Sequence, residues 1–411
     1  MSVRYASVVL VLCMVGAGSA SAQNNRFTER SFLPSPRVRG MGGAGVALPG
    51  PDRPFFYNPA HLPRITSYFT VTGGLASASG NMREQIRFLN HRVQPAIESN
   101  FEGDPDALDA LYRDAYRLGR HPARGGAAVV LPAFVYSSQN VGIGGGLFAK
   151  TSLNYRITGA ELGVPEVYLL SRTDVMAVLS FGVTLAPIGL PGLSVGGTLK
   201  RTQRYLTFEN KPLDTFSPDE TALFLLGNTV QVDVGGLYTP SWWELPGRLS
   251  VGGAVYDLLD DRYDYTIEDA TPRVPFLSNL FSGAPADSAE GTRDAARARR
   301  KFRLQPSYRV GVAYRLSSLG GLDEVGLALD YQEYGHDRQH PLARLHAGIR
   351  AEVIDGVVLR GGLSAGYPTG GIGLHLGVLR IDYALHAFEG GRVPGQRGTY
   401  VHTARFMIRI Q

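Results

Sequence analysis

From Ser67 to the end of the chain, apolar residues alternate with polar or very small ones in segments of roughly 9–14 positions. This is the period of a strand whose two faces meet different surroundings. Val325, Leu327, Leu329 and Tyr331 share one face, and Gly326, Ala328, Asp330 and Gln332 the other. Leu345, Ala347, Ile349 and Ala351 likewise oppose Arg344, His346, Gly348, Arg350 and Glu352. Fourteen strands are predicted, starting near Ser67, Gly125, Val141, Asp174, Leu193, Thr229, Leu249, Pro306, Glu324, Leu342, Val357, Gly370, Val378 and Thr399. The connections alternate. Short ones at 138–140, 187–192, 317–323 and 355–356 are interleaved with long ones at 81–124, 210–228, 258–303 and 389–398.

Segments of this length exceed the ~5–6 residues usual in soluble sheets and match the ~9–11 tilted residues that cross a bilayer in a barrel. Long loops confined to one rim are a property of outer-membrane barrels, which a soluble sandwich has no reason to share. Closure also removes the unpaired edge that lipid could not satisfy. One stretch, 175–199, carries no charge and is long enough for a membrane helix, but Pro187, Pro191 and five glycines lie within it. Those residues break helices, so it reads as two strands and a turn. Tyr136, Tyr155, Tyr238, Tyr308, Tyr331 and Tyr400 are expected at the interfacial girdles. Within the first long loop, Ile86, Leu89, Val93 and Ile97, then Leu108, Leu111 and Leu118, have helical spacing.

Composition narrows the partners. Of 411 residues 51 are Gly, and charged residues make up 19%, which excludes disorder; the glycines lack the triplet period of collagen. Arg4, the apolar run 6–15 and the small residues 20–22 read as a signal peptide, 1–22. Its removal takes Cys13, the only cysteine, and leaves no thiol for a disulfide, metal or redox site. The net charge of +5 is too slight to argue for nucleic acid. The nine histidines are scattered, and His336 and His340 lie in a loop rather than on the helix that would make their spacing a metal site. No cofactor is expected, and the chain is read as a non-enzyme.

The segment 23–65 contains Gly40, Met41, Gly42, Gly43, Ala44 and Gly45, and then Asn58, Pro59 and Ala60. Gly40, Gly42 and Gly45 have dinucleotide-fingerprint spacing, but strands of period two follow instead of a βαβ unit, so that reading fails. A compact glycine backbone is suited to a narrow lumen. Here the chain resembles the FadL-like family of outer-membrane proteins, in Met41-Gly42-Gly43-Ala44 and in Asn58-Pro59-Ala60 just before the first strand. It is also similar to the PorV-type branch in the stretch Gly362 to Gly370 and in Leu379-Arg380-Ile381-Asp382-Tyr383-Ala384. The resemblance implies an all-β fold: a transmembrane antiparallel β-barrel of about 14 strands spanning 66–411, with helical extracellular loops near 81–123 and 258–303 and with 23–65 as a hatch in the lumen.

It further implies a monomeric barrel in the bacterial outer membrane, in contact with membrane lipid. The FadL-like function is passive uptake of a hydrophobic small molecule, a long-chain fatty acid or similar, by lateral diffusion through the barrel wall. The PorV-type alternative is a plugged barrel that serves secretion-system proteins of type IX or surface assembly. For the lateral opening, a kink in the third strand is implied, where Gly142, Gly144, Gly145 and Gly146 stand. The other reading of these glycines is close packing against the hatch. Arg309, Arg350 and Arg380 fall on the predicted inner face, either as head-group contacts or as part of a paired network with Asp233, Asp330, Glu352 and Asp382.

Overall fold

The computed structural model of the chain describes residues 35–48, 50, 54–99, 105–119, 121–158, 165–213, 224–240, 242, 246–259, 263–267, 306–334, 340–389, 393–396 and 398–411. The expected signal peptide, residues 23–34 of the expected hatch, His336 and most of the helical expectation for 258–303 lie outside the described residues.

The period-two segments are strands, joined by antiparallel ladders in chain order. They are β1 (Tyr68–Ser79), β2 (Ala123–Ser137), β3 (Val141–Thr158), β4 (Glu166–Thr184), β5 (Leu193–Pro212), β6 (Phe224–Tyr238), β7 (Arg248–Tyr256), β8 (Asp264–Ile267), β9 (Ser307–Leu319), β10 (Leu322–Tyr334), β11 (Leu345–Ile354), β12 (Val357–Ser364), β13 (Tyr367–Leu376), β14 (Leu379–Glu389) and β15 (Gly398–Ile410). β1 pairs with β15, and β5 pairs with both β4 and β6, so the sheet closes. β8 pairs only with the upper part of β6, at Leu225–Asn228, while β7 pairs with its lower part, Val234–Tyr238. The two therefore share one place in the ring, and the barrel has the fourteen places expected. No helix among the described residues is long and apolar enough to cross a membrane.

Alternation sorts the side chains as the sequence pattern requires. Val129, Phe134, Ile143, Leu179, Leu329 and Phe406 are exposed on the outer face, whereas Asp174, Lys200, Arg204, Asp330 and Asp382 are buried inside. An apolar exterior over a polar interior is the inverse of a soluble sandwich and the arrangement of a barrel in lipid. Two-residue turns at Gly320-Gly321 and Asp355-Gly356 mark one rim, with Gly at positive φ in both.

The wall is not of even height. β3, β4 and β5 run to 18, 19 and 20 residues, against 8–11 for β11–β14. Against the tall side pack α1 (Met82–Phe88), a π-helical turn (Leu89–Val93), α2 (Gln94–Glu98) and α3 (Pro105–Gly119). Phe88, Val93, Leu111, Ala115 and Leu118 bury a common face on Tyr155, Ile157 and Val167. Tyr155 is therefore an anchor beneath the loop helices rather than a girdle residue, because the long third strand carries it above its neighbours. Ile86 faces out, and Gln85 is buried instead, donating to the carbonyls of Leu118 and His121.

Candidate functional site

Two interruptions break the ladders of the described wall on its β1–β6 side. Between β1 and β15 the register shifts between Thr70 and Thr72, and between β2 and β3 it shifts between Val130 and Ala133. β1 and β2 face each other at this height, paired at Thr70–Ala133 and at Gly73–Val130 but not between. The result is a pair of facing bulges, Val71-Thr72 against Leu131-Pro132. Pro132 has no N–H to donate, and Val71 and Leu131 project outward, exposed.

Directly behind the bulges lies an apolar cluster. Phe55, Phe56 and Tyr57 of the N-terminal segment pack with Leu75, Val130, Ala133, Phe148, Met176, Val178 and Met407 of the wall. Phe56 meets Phe148 edge-on at 5.0 Å between ring centroids, and Phe55 meets it at 5.7 Å. Each buried side chain of this size contributes about 1.5–3 kcal/mol, and the rings add about 0.5–1.5 kcal/mol per favourable pair.

The N-terminal segment crosses the lumen from side to side. It begins with a short helix, Pro36–Gly40, which has Pro at its first position; Gly42, Gly43 and Gly45 follow at φ 68°, 91° and 132°. Gly42 is doubly required, since a Cβ there would run into the Ala347 and Leu363 carbonyls of β11 and β12. The Asp330 carboxylate accepts from the N–H groups of Gly45 (2.7 Å) and Val46 (2.9 Å). Thr369 Oγ1 accepts from Gly42 N–H at 2.9 Å and donates to Gly40 O at 3.1 Å. Met41 packs under Gly348 and Gly362, where a side chain would leave no room.

Farther along, a 3-10 turn, Pro59–Arg64, is capped by Asn58, whose side chain accepts from Ala60 N–H. The same amide donates to Val46 O and, across to β6, to Gly236 O, each at 3.0 Å. Arg64 reaches the short-turn rim, donating to Ser194 Oγ (2.7 Å), Thr239 Oγ1 (2.6 Å) and Gly192 O. Burial first, and then the charge of Arg248, pull its guanidinium below the ordinary value.

Ion pairs line the lumen. Asp382, fully buried, receives Arg37 of the N-terminal segment (3.1 Å), Arg360 of β12 (3.1 Å) and Arg405 of β15 (2.7 Å). Arg37 also donates to His375 Nε2 at 2.9 Å. On the other side Arg204 forks onto Asp174 at 2.6 and 2.9 Å and stacks over Tyr263, while Lys200 holds Asp233 (2.7 Å) and Asp257 (3.0 Å).

The motif residues Gly40, Met41, Gly42, Gly43, Asn58, Pro59 and Ala60 are thus brought together in the lumen against eight or more strands. The glycines of β3 are divided. A Cβ on Gly142 would meet the Leu62 backbone at 2.5 Å and one on Gly144 the Phe55 ring at 3.0 Å, whereas Gly146 abuts Ala133 at the bulge. β3 itself pairs with β4 without a break from Val141 to Thr158. The three arginines are not together. Arg309 is buried against the N-terminal segment, donating to Gly43 O (2.7 Å) and to Gln332. Arg350 pairs with Glu324 at 2.6 Å, and Arg380 donates to Gln411 at 3.0 Å, both at the short-turn rim. The sequence pattern places Asp233 among the inner counter-charges but does not single out its partners Lys200 and Asp257, nor the Arg204–Asp174 pair. Their signal was the placement of charges at every second position of otherwise apolar strands.

No protein-family model and no curated protein sequence matches the chain. Among solved structures it is similar to a FadL homologue of Pseudomonas aeruginosa, at 10% identity over 92% of this chain and 98% of that one, with a TM-score of 0.42. It is similar to the toluene transporter TodX of P. putida at 10% identity over 92% and 96%, TM-score 0.44. The translocator domain of the autotransporter NalP from Neisseria meningitidis matches at 8% identity over 84% and 87%, TM-score 0.36.

Proposed function

We propose that this chain is an outer-membrane barrel for passive uptake of hydrophobic small molecules, long-chain fatty acids or similar compounds, which leave the lumen sideways through the wall. The observation that carries the reading is the meeting of the apolar cluster with the facing bulges. Where Val71-Thr72 and Leu131-Pro132 stand unpaired with each other, parting β1 from β2 sacrifices fewer ladder hydrogen bonds than parting β3 from β4, whose ladder is unbroken. From Phe148 the apolar cluster reaches the bulges, outside which Val71 and Leu131 are exposed, with buried Thr70 and Arg409 as its polar neighbours. Gly146 pairs with Ala133 beside the β2 bulge, and its missing side chain is what lets Ala133 and Phe148 close up there. In this reading the N-terminal segment is a hatch that brings Phe55 and Phe56 to the ligand-contacting surface, and the loop helices are the capture side.

A plug alone would equally suit a barrel of a secretion or surface-assembly system. Such a barrel, however, has no use for an apolar cluster against a weakened wall. The test is a disulfide between Thr72→Cys and Leu131→Cys, which face each other between paired positions of β1 and β2. Uptake of a labelled long-chain fatty acid into proteoliposomes should fall to background when the bond is formed and return on reduction. Full uptake with the crosslink complete would overturn the lateral route.

A further inference from the structure

We propose that Thr202 on β5 and Gln231 on β6 form a hydrogen-bonding subsite at the edge of the apolar cluster, which takes the uncharged polar end of a mainly apolar molecule: a hydroxyl or a carbonyl rather than an ionised carboxylate. The inference rests on the transport reading and narrows its substrate class: a fatty acid would enter this subsite only in its protonated, uncharged form.

Both side chains are fully buried on the inner face. The Thr202 hydroxyl and both atoms of the Gln231 amide have no hydrogen-bond partner among the described residues. Buried amides are nearly always paired, because an orphaned one forfeits its whole hydration. The Asn58 amide in the same lumen satisfies the rule with three bonds.

The register fixes where the pair stands. Thr202 is directly across from Met176, the margin of the apolar cluster, and from Thr229 on its other side. Gln231 is across from Lys200, hence diagonal to Thr202 and within reach of the same ligand atom. It also occupies the middle of Thr229–Asp233, the part of β6 that lies between its pairings with β8 and β7. A molecule with its body on Phe55, Phe56 and Phe148 would thus present its far end to Thr202 and Gln231.

Charge selects the kind of end. The nearest cation, Lys200, is already shared by Asp233 and Asp257, whose own N–H donates to Asp233 at 2.9 Å. The other cations of this face are engaged as well: Arg204 and Arg172 both hold Asp174, at 2.6 and 3.6 Å. An incoming carboxylate would be stripped of water without a cation left over to receive it. A neutral group meets no such penalty, and an amide and a hydroxyl each both donate and accept.

The experiment compares equilibrium binding of 1-dodecanol, dodecane and dodecanoate at pH 8 to the purified full barrel, and to the Gln231→Leu and Thr202→Val variants and their combination. The wild type should bind the alcohol about tenfold more tightly than either of the others, the size of one to two recovered hydrogen bonds. The double variant should lose that preference while keeping its affinity for dodecane. Equal binding of alcohol and alkane by the wild type, or tightest binding of dodecanoate, overturns the subsite whether or not the variants fold. A preference for the alcohol that survives in the double variant overturns it as well. If the wild type binds none of the three, the transport reading itself falls, an outcome distinct from the others.

Discussion

Asp382 is the point at which the N-terminal segment, the proposed hatch, is most exposed to a single change. Its carboxylate is 0% accessible and is shared by Arg37 of the hatch, Arg360 of β12 and Arg405 of β15. Asp382→Ala would leave three guanidinium groups facing one another without a counter-charge. Breaking one buried pair by removing a partner costs about 3–5 kcal/mol. Here Arg360 and Arg405, 3% and 4% accessible, would bear the full penalty, whereas Arg37, at 12%, keeps some contact with water and retains its bond to His375. The loss should therefore lie in the upper part of that range, roughly three orders of magnitude in the folding equilibrium. The assay is urea unfolding of the refolded barrel in lipid, followed by tryptophan fluorescence, with the double variant Arg37→Met/Asp382→Ala alongside. Removing Arg37 from the variant barrel should recover about 1 kcal/mol or more by relieving repulsion, whereas Arg37→Met in the wild type should destabilise; pairs in one network couple by about 0.5–3 kcal/mol. Additive effects of the two changes would refute the hub, and a wild-type unfolding midpoint for Asp382→Ala would refute the buried pairing altogether.

Other positions test other parts. Gly362→Ala places a methyl group 2.5 Å from the Gly42 nitrogen, so it should loosen the hatch and make the Gly40–Gly45 stretch cleavable by added protease in intact liposomes, with the barrel still formed. Asn58→Leu removes one acceptor and two donors at the hatch turn and should lower the unfolding midpoint by the equivalent of about 2–4 kcal/mol. Phe148→Ala deletes the ring between Phe55 and Phe56 and should weaken binding of an apolar probe at least about tenfold in a competition assay, with little change in protease resistance of the hatch.

The strands were legible because each places its apolar side chains at every second position, and lipid outside with a polar lumen inside leaves that alternation nearly unbroken. What the alternation hides is a local break of phase. At β1 the inward series runs Tyr68, Thr70, then Gly73 and Leu75; at β2 it runs Val135, Ala133, then Val130 and Ala128. Only Pro132 hints at the second bulge. The glycine run of β3 drew attention to the neighbouring strand instead, since glycine is informative about lack of space but not about what takes it: at Gly142 and Gly144 it is the backbone and ring of Leu62 and Phe55. Similarly, inward parity placed Arg309, Arg350 and Arg380 on one face but could not give their heights, and two of the three belong to the rim. Gln332 and Asp330, nearly opposite Arg309 on β10, were the better guides to its role.

The lumen is therefore divided by side rather than by height. From β9 to β15 the wall holds the hatch through Asp330, Thr369 and Asp382, each directed at its backbone or its arginine. From β1 to β4 the contact is apolar and the wall carries its bulges. Among the described residues the N-terminal segment meets β5 and β6 near the rim, through Pro59, Asn58 and Arg64, and above that level the inner face carries ion pairs, Thr202 and Gln231, and the apolar cluster of Leu206, Leu225, Tyr263 and Tyr265. A hatch pinned on one side and packed by aromatic rings on another has a natural axis of motion. Withdrawing Phe55 and Phe56 from Phe148 would open the apolar side while the polar tethers of β10, β13 and β14 stay in place. In the proposed transport role, ligand entry would then need to replace only apolar contacts, which an apolar molecule does at little cost, and no buried charge would have to lose its partner.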